Sequence, residues 1–91
     1  MESDKIWVVY ILRCSDDTLY TGITDNVEKR LNMHNAGTGA KYTRGRGPVH
    51  LEYTEQCLDK PTALRREFAI KQLSRREKLL LIANYANTHK D

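Results

Sequence analysis

Trp7-Val8-Val9-Tyr10-Ile11-Leu12 and Leu19-Tyr20-Thr21-Gly22-Ile23-Thr24 are the stretches whose reading decides the fold. Both are rich in β-branched and aromatic residues, which suit the half-buried surface of a pleated sheet. Ser15-Asp16-Asp17-Thr18 between them is turn chemistry. Residues 7–14 and 19–24 are therefore predicted to form a hairpin. Its register depends on loop length. A three-residue loop puts Tyr10, Tyr20 and Gly22 on one face, because side chains alternate along each strand. A two-residue loop would separate them.

Working outward, Asp25 with Glu28 three residues on reads as a capping box that opens a helix. That helix is predicted to run to about Ala36, with Val27, Leu31 and His34 on one stripe and Gly37 as its stop. Residues 37–48 form a glycine-rich basic loop, and residues 49–57 a third strand whose alternation weakens at Glu52. Asp59 caps the next helix, with Pro61 in its first turn, where a missing N–H costs little. That helix carries Ala63, Leu64, Phe68, Ile70 and Leu73. Ser74-Arg75-Arg76-Glu77 is another capping box and opens a last helix through residues 79–83, with a polar, frayed tail after Tyr85. The order is β-β-α-β-α-α. Three strands cannot bury both faces alone, so the helices must pack on the sheet. The expected fold is α+β, a small three-stranded antiparallel sheet flanked by helices. The 91 residues make one domain, 1–91, with its core over about 6–83.

The formal charge is +3, so its distribution matters more than its sum. Lys41, Arg44 and Arg46 face no acid within residues 41–50. Residues 60–78 hold Lys60, Arg65, Arg66, Lys71, Arg75, Arg76 and Lys78 against Glu67 and Glu77. Asp4, Asp16, Asp17, Asp25 and Glu28 lie in the first half. A polyanion fits this distribution, and so does a solubilising surface on two helices. Cys14 and Cys57 lie in strand-like segments without metal-ligand spacing and are expected to stay reduced. No apolar run is long enough for a membrane span and no signal-peptide pattern appears, so the expected location is cytoplasmic.

Several residues could carry chemistry. Phenols of Tyr10 and Tyr20 on one face would bind phosphate oxygens or act on water; equally, they suit the rim of a sheet. Arg30 and His34 are four apart and share a helix face. Arginine's planar fork suits phosphate, and histidine relays protons or orients a tyrosine. The plain alternatives are a surface charge and a packed histidine. Glu67 lies between apolar positions, where a carboxylate is costly unless a cation meets it. That cation is either a hard divalent metal or Lys71, four residues on. Lys41, Tyr42, Arg44 and Arg46 interleave base, aromatic and glycine in the loop, a mix that suits backbone phosphates and a stacked base. No Walker loop, dinucleotide fingerprint, zinc cluster or nucleophilic triad is present.

Together these residues resemble the GIY-YIG nuclease family, and most closely its small single-domain bacterial YhbQ-like group. Val8-Val9-Tyr10 stands in place of the first signature element and Tyr20-Thr21-Gly22 in place of the second. The stretches Arg30-Leu31-Asn32-Met33-His34, Gly39-Ala40-Lys41-Tyr42-Thr43-Arg44-Gly45 and Glu67-Phe68-Ala69-Ile70-Lys71 extend the likeness over residues 6 to about 83. The resemblance implies a metal-dependent endonuclease acting on DNA, or on RNA, in repair or recombination. It implies Tyr10 as the base or as the positioner of water, and Tyr20 near the scissile phosphate. Arg30 would stabilise charge on the phosphoryl group, His34 would assist Tyr10, and Glu67 would hold one Mg²⁺ or Mn²⁺ ion. Arg65, Lys71 and Arg75 would join the loop in binding nucleic acid. Two features depart from the family pattern. Ile23 stands where some relatives have a lysine, and the asparagine that often follows the metal glutamate has only Asn84 and Asn87 as counterparts here. These departures keep a second reading open, a nucleic-acid-binding module with weak or no catalysis. A domain this small offers little surface to grip two strands, which leaves room for a homodimer or a protein partner.

Overall fold

The computed structural model describes residues 6–88; residues 1–5, and 89–91 at the end of the expected tail, lie outside the described residues. The order is β1 (Trp7–Arg13), β2 (Leu19–Thr24), α1 (Val27–Asn35), a 3₁₀ turn (Lys41–Thr43), β3 (His50–Cys57), α2 (Lys60–Lys71) and α3 (Arg75–Thr88). The sheet is antiparallel with strand order β2-β1-β3. This is the expected α+β fold.

The hairpin takes the three-residue loop. Cys14 N–H donates to Thr18 C=O at 2.8 Å and Asp17 N–H to Cys14 C=O at 2.9 Å. Asp17 adopts φ 70°, the left-handed residue that such a loop needs and that aspartate tolerates. The resulting register opposes Tyr10 to Gly22 and Leu12 to Tyr20. On the other side of β1 the register shifts between Ile11 and Leu12, so Glu52 is an extra residue in β3. This bulge is the physical content of the weakened alternation there.

Alternation divides β1 between two cores. Val9 and Ile11 join Tyr53, Ala63, Ile70 and Ile82, which brings α2 and α3 onto one face. Tyr10, Leu12 and Cys14 join Val49, with Tyr20 and Leu31 packed against them, on the face that α1 and the loop cover. The second core is small and carries the polar residues discussed below.

Four local expectations change. The N-cap of α1 is Asn26, not Asp25: its side chain accepts from Lys29 N–H at 3.0 Å. The shift follows from Asn26 N–H bonding the Thr24 hydroxyl at 3.1 Å, which ties residue 26 to the end of β2 and starts the helix one residue later. On α2 only Ala63 and Ile70 are buried, while Leu64 and Phe68 are exposed because they lie on the helix side turned away from the sheet. The helix α3 continues through Thr88 rather than fraying after Tyr85. Tyr85 ties this last part down: its ring packs on Tyr53 and its hydroxyl meets Thr54 Oγ1 at 2.9 Å. Finally, the separation of acids and bases along the chain is undone in space. Asp16 pairs with Arg46 of the loop, and Asp17 with Arg75 at the start of α3 at 3.0 Å.

The remaining caps match the sequence. Gly37, at φ 82°, closes α1: Gly37 N–H bonds His34 C=O at 3.2 Å and Thr38 N–H bonds Met33 C=O at 2.9 Å. Asp59 accepts from Thr62 N–H, and Ser74 and Glu77 exchange backbone N–H bonds at 2.9 and 3.2 Å. Cys14 and Cys57 are free thiols on opposite faces of the sheet. Among the described residues no helix is long and apolar enough to cross a membrane.

Candidate active site

Tyr10 stands at the middle of the central strand and is 2 % exposed. It lies over Gly22 so closely that a Cβ there would meet the phenol oxygen at 2.7 Å. Gly22 is thus required by close approach, with no unusual backbone angle involved. The Tyr20 ring lies 6.3 Å from that of Tyr10, on the same face. The three-residue turn therefore assembles Tyr10, Tyr20 and Gly22 as the alternation argument requires.

The helix α1 supplies the next two groups. His34 is 1 % exposed and its Nε2 lies 2.9 Å from the Tyr10 hydroxyl. Arg30, one turn earlier, lies near enough for its positive charge to favour the ionised form of the same phenol. Burial raises the Tyr10 pKa above the ordinary phenol value, and Arg30 opposes this without reversing it. The charges of Tyr20 and Glu67 also act on Tyr10 and push the same way as burial. Burial lowers the His34 pKa and the Arg30 charge lowers it further, so the ring is neutral at pH 7. Tyr10, Tyr20, Arg30, His34 and Glu67, drawn from β1, β2, α1 and α2, are thus brought within range of one another.

Glu67 is partly buried, at 18 % side-chain exposure, and its Oε2 accepts from Lys71 Nζ at 3.2 Å. The lysine pair is present, and the carboxylate is a hard oxygen donor whose charge reaches Tyr10. Among the described residues no three His, Cys, Asp or Glu side chains gather as a metal cluster. A single carboxylate fits an ion such as Mg²⁺ that takes one or two carboxylates and completes its shell with water and phosphate oxygens. Asn84 lines a different groove of about 280 Å³ with Tyr53, Thr54 and Tyr85, between α3 and β3.

The basic loop divides into two kinds of residue. Lys41, Tyr42 and Arg44 are exposed. The Tyr42 ring stacks on Tyr20 at 5.8 Å and 27°, and the Arg46 guanidinium lies 4.5 Å from the Tyr42 centroid. This stack leads from solvent to the tyrosine pair. Of the helix bases, Arg65 is exposed and donates to its own Thr62 near Asp59, while Lys71 and Arg75 are held by Glu67 and Asp17. Arg66 is structural: its Nε bonds both oxygens of Glu55, at 2.9 and 3.0 Å, and so ties α2 to β3.

Two residues with no assigned role in the sequence reading belong to the site. Thr43 is 1 % exposed and its Oγ1 lies 2.8 Å from His34 Nδ1. Gly39 packs on the same ring, where a Cβ would meet Nδ1 at 2.5 Å. The available signal was that both lie in the stretch Gly39-Ala40-Lys41-Tyr42-Thr43-Arg44-Gly45, which shares the family likeness. Nothing local ties Thr43 to a histidine nine positions earlier.

A hairpin with paired tyrosines, an arginine and a histidine on the following helix, and a carboxylate on a later one define a class. The chain belongs to the GIY-YIG catalytic domain family, whose match spans residues 6–80. Within that class it is 56 % identical over 79 residues to the UPF0213 protein OB0043 of Oceanobacillus iheyensis, covering 87 % of this chain and 92 % of the relative. It is 58 % identical to the UPF0213 protein CPE1444 of Clostridium perfringens, covering 84 % and 82 %. Two solution NMR structures share the fold. The UPF0213 protein BH0048 from Bacillus halodurans is 46 % identical with a TM-score of 0.58, covering 93 % of this chain and 95 % of that one. The protein EF2693 from E. faecalis is 38 % identical with a TM-score of 0.63, covering 100 % and 97 %.

Proposed function

We propose that this protein is a metal-dependent endonuclease that hydrolyses phosphodiester bonds in DNA. The observation that carries the reading is the Tyr10 hydroxyl, buried and 2.9 Å from the Nε2 of a histidine held neutral, with Arg30 beside it. That set supplies a proton path and a fixed positive charge at one point, the two needs of attack on a phosphodiester by water. Water approaching phosphorus passes a proton to the Tyr10 oxygen as the phenol's own proton passes to His34. Because Tyr10 has a raised pKa, the proton moves through it in concert and no free phenolate accumulates. Arg30 donates to the phosphoryl oxygen where charge develops, and Tyr20 binds a second oxygen of the phosphate. The bond from phosphorus to the leaving oxygen then breaks and that oxygen takes a proton from solvent, while the imidazolium, disfavoured by burial and by Arg30, returns its proton to Tyr10, whose phenol releases one to water. Glu67 would hold the metal ion, whose chemistry when bound is to polarise the phosphate and neutralise the leaving oxygen.

Lys41, Tyr42 and Arg44 are the exposed groups available to contact backbone phosphates and a base. The domain has little surface left to read base edges, which supports cutting without sequence specificity, as repair or recombination would use. The test is a cleavage assay with purified protein on single-stranded, duplex and branched DNA in Mg²⁺ or Mn²⁺. Cutting by the parent and none by Glu67→Ala or Tyr10→Phe is the expected result. The Lys71 pair with Glu67 favours the rival reading, a binding module without catalysis. It predicts salt-sensitive binding that needs no metal, and no strand breaks from either protein.

A further inference from the structure

We propose that Thr43 is a positioning residue that fixes His34 in the tautomer carrying its proton on Nδ1, leaving Nε2 bare to receive the proton of Tyr10. The inference rests on the nuclease reading for its consequence in catalysis, but the tautomer itself follows from counting protons in the structure.

Start at the loop end. Thr43 Oγ1 lies 3.0 Å from Ala40 C=O and 2.8 Å from His34 Nδ1. A hydroxyl has one proton, and a carbonyl can only accept. The threonine proton therefore goes to Ala40, and the bond to His34 is made only if Nδ1–H donates to Oγ1. A neutral imidazole has one N–H, so Nε2 is then an acceptor. Start instead at the strand end. Tyr10 has Nε2 at 2.9 Å, and Arg30 exerts its charge on the same phenol. Arginine only donates, so the phenol proton has one acceptor within reach, Nε2. The two counts are independent and agree. In the other tautomer, the Thr43 hydroxyl would leave Ala40 to meet Nδ1 and the phenol proton would have no acceptor, at a site where both residues are at most 2 % exposed. Orphaning a buried donor is costly.

The backbone enforces the same arrangement. Gly39 leaves no room between loop and ring, since even a Cβ would stand 2.5 Å from Nδ1. The ring is thus held by the loop on one side and by Tyr10 on the other. Thr43 itself touches no substrate; it acts through His34. It is also the buried member of the turn whose neighbours Lys41, Tyr42 and Arg44 are exposed, so the segment suited to nucleic acid is also the one that sets the proton acceptor.

The test uses the full chain labelled with ¹⁵N at histidine. Long-range ¹H–¹⁵N spectra report the protonated ring nitrogen directly, and His34→Gln assigns the His34 signals among the three histidines. Wild type is expected to show a protonated Nδ1 at His34. Thr43→Ser keeps the hydroxyl and should keep both that signature and the cleavage rate. Thr43→Val keeps the shape and should move the proton to Nε2, with cleavage falling by about 10²-fold or more, as for loss of a positioned base. A wild-type spectrum with Nε2 protonated overturns the inference whether or not the protein cuts, and does so even if Thr43→Val does not fold. A valine variant that keeps the Nδ1–H signature and the parental rate also overturns it. The expected tautomer change in a protein that cuts nothing would sink the nuclease reading and support the assignment of the proton.

Discussion

Gly22→Ala is the most informative small perturbation. The added methyl would stand 2.7 Å from the Tyr10 oxygen and 2.9 Å from Cζ, where ordinary contact starts at 3.4 Å, so the ring has to move by about 0.7 Å. It has little freedom to do so. Tyr10 is buried in the central strand, is bonded to His34 at 2.9 Å and has the Tyr20 ring beside it. Overpacking of this kind costs about 1–3 kcal/mol. Removing a glycine from the unfolded chain returns about 0.4–1 kcal/mol. The net expectation is a loss of about 1–2 kcal/mol, read as a lower midpoint in urea with the slope unchanged. The catalytic loss is larger in proportion, because a displacement near 1 Å costs about 10²-fold in rate. Cleavage rate and urea midpoint measured on the same preparation separate the two effects. An alanine variant as stable as the parent and cutting at the parental rate would refute the claim that the phenol is pinned between Gly22 and His34.

The same geometry bears on metal binding, pH dependence and DNA contact. Glu67→Gln should abolish metal-dependent cleavage while changing stability by no more than about 0.5 kcal/mol, because the pair it breaks is a single i,i+4 helix pair whose lysine is half-exposed and the amide fills the same partly buried place; denaturation and cleavage assays check both parts. The pH–rate profile should keep its plateau to below about 6.5, the ordinary histidine value, because His34 is the acceptor and its pKa is lowered, first by burial and then by Arg30. Stability follows the same sign: below about pH 6.5 the unfolded chain binds a proton that folded His34 does not, so stability is full above that pH and falls as pH drops toward the folded value. Urea midpoints that stay level from pH 7 to pH 5 in wild type but not in His34→Gln would contradict this. Lys41→Ala and Arg44→Ala should each weaken DNA binding and reduce the salt slope by about 1, whereas Arg66→Ala, which breaks the tie to Glu55, should lower the urea midpoint and leave the slope unaltered.

Much of this molecule is legible locally. Strand alternation and the three-residue turn place Tyr10, Tyr20 and Gly22 on one face, because the side-chain period along a strand is two and the turn sets the register. Helix spacing puts Arg30 and His34 on one face of α1, and the capping chemistry of Asp59, Ser74 and Glu77 marks where α2 and α3 begin. These signals operate over four residues or fewer, a range within which the backbone leaves few options. The choice of Asn26 over Asp25 as cap also falls within that range, through the bond of Asn26 N–H to the Thr24 hydroxyl two residues back.

What only the tertiary structure decided is partnership across long separations. The acids of the first half meet the bases of the second at Asp16–Arg46 and Asp17–Arg75, so a charge pattern segregated along the chain is partly neutralised in space. Leu64 and Phe68 look like core residues by type, yet α2 has only one side against the sheet, and they lie on the other. Thr43 and Gly39 matter because the loop after α1 returns to the histidine ring and packs against its Nδ1 side, opposite Tyr10. Which hydroxyl meets Nδ1 is set by that return path, and a threonine's own sequence neighbourhood carries no trace of it.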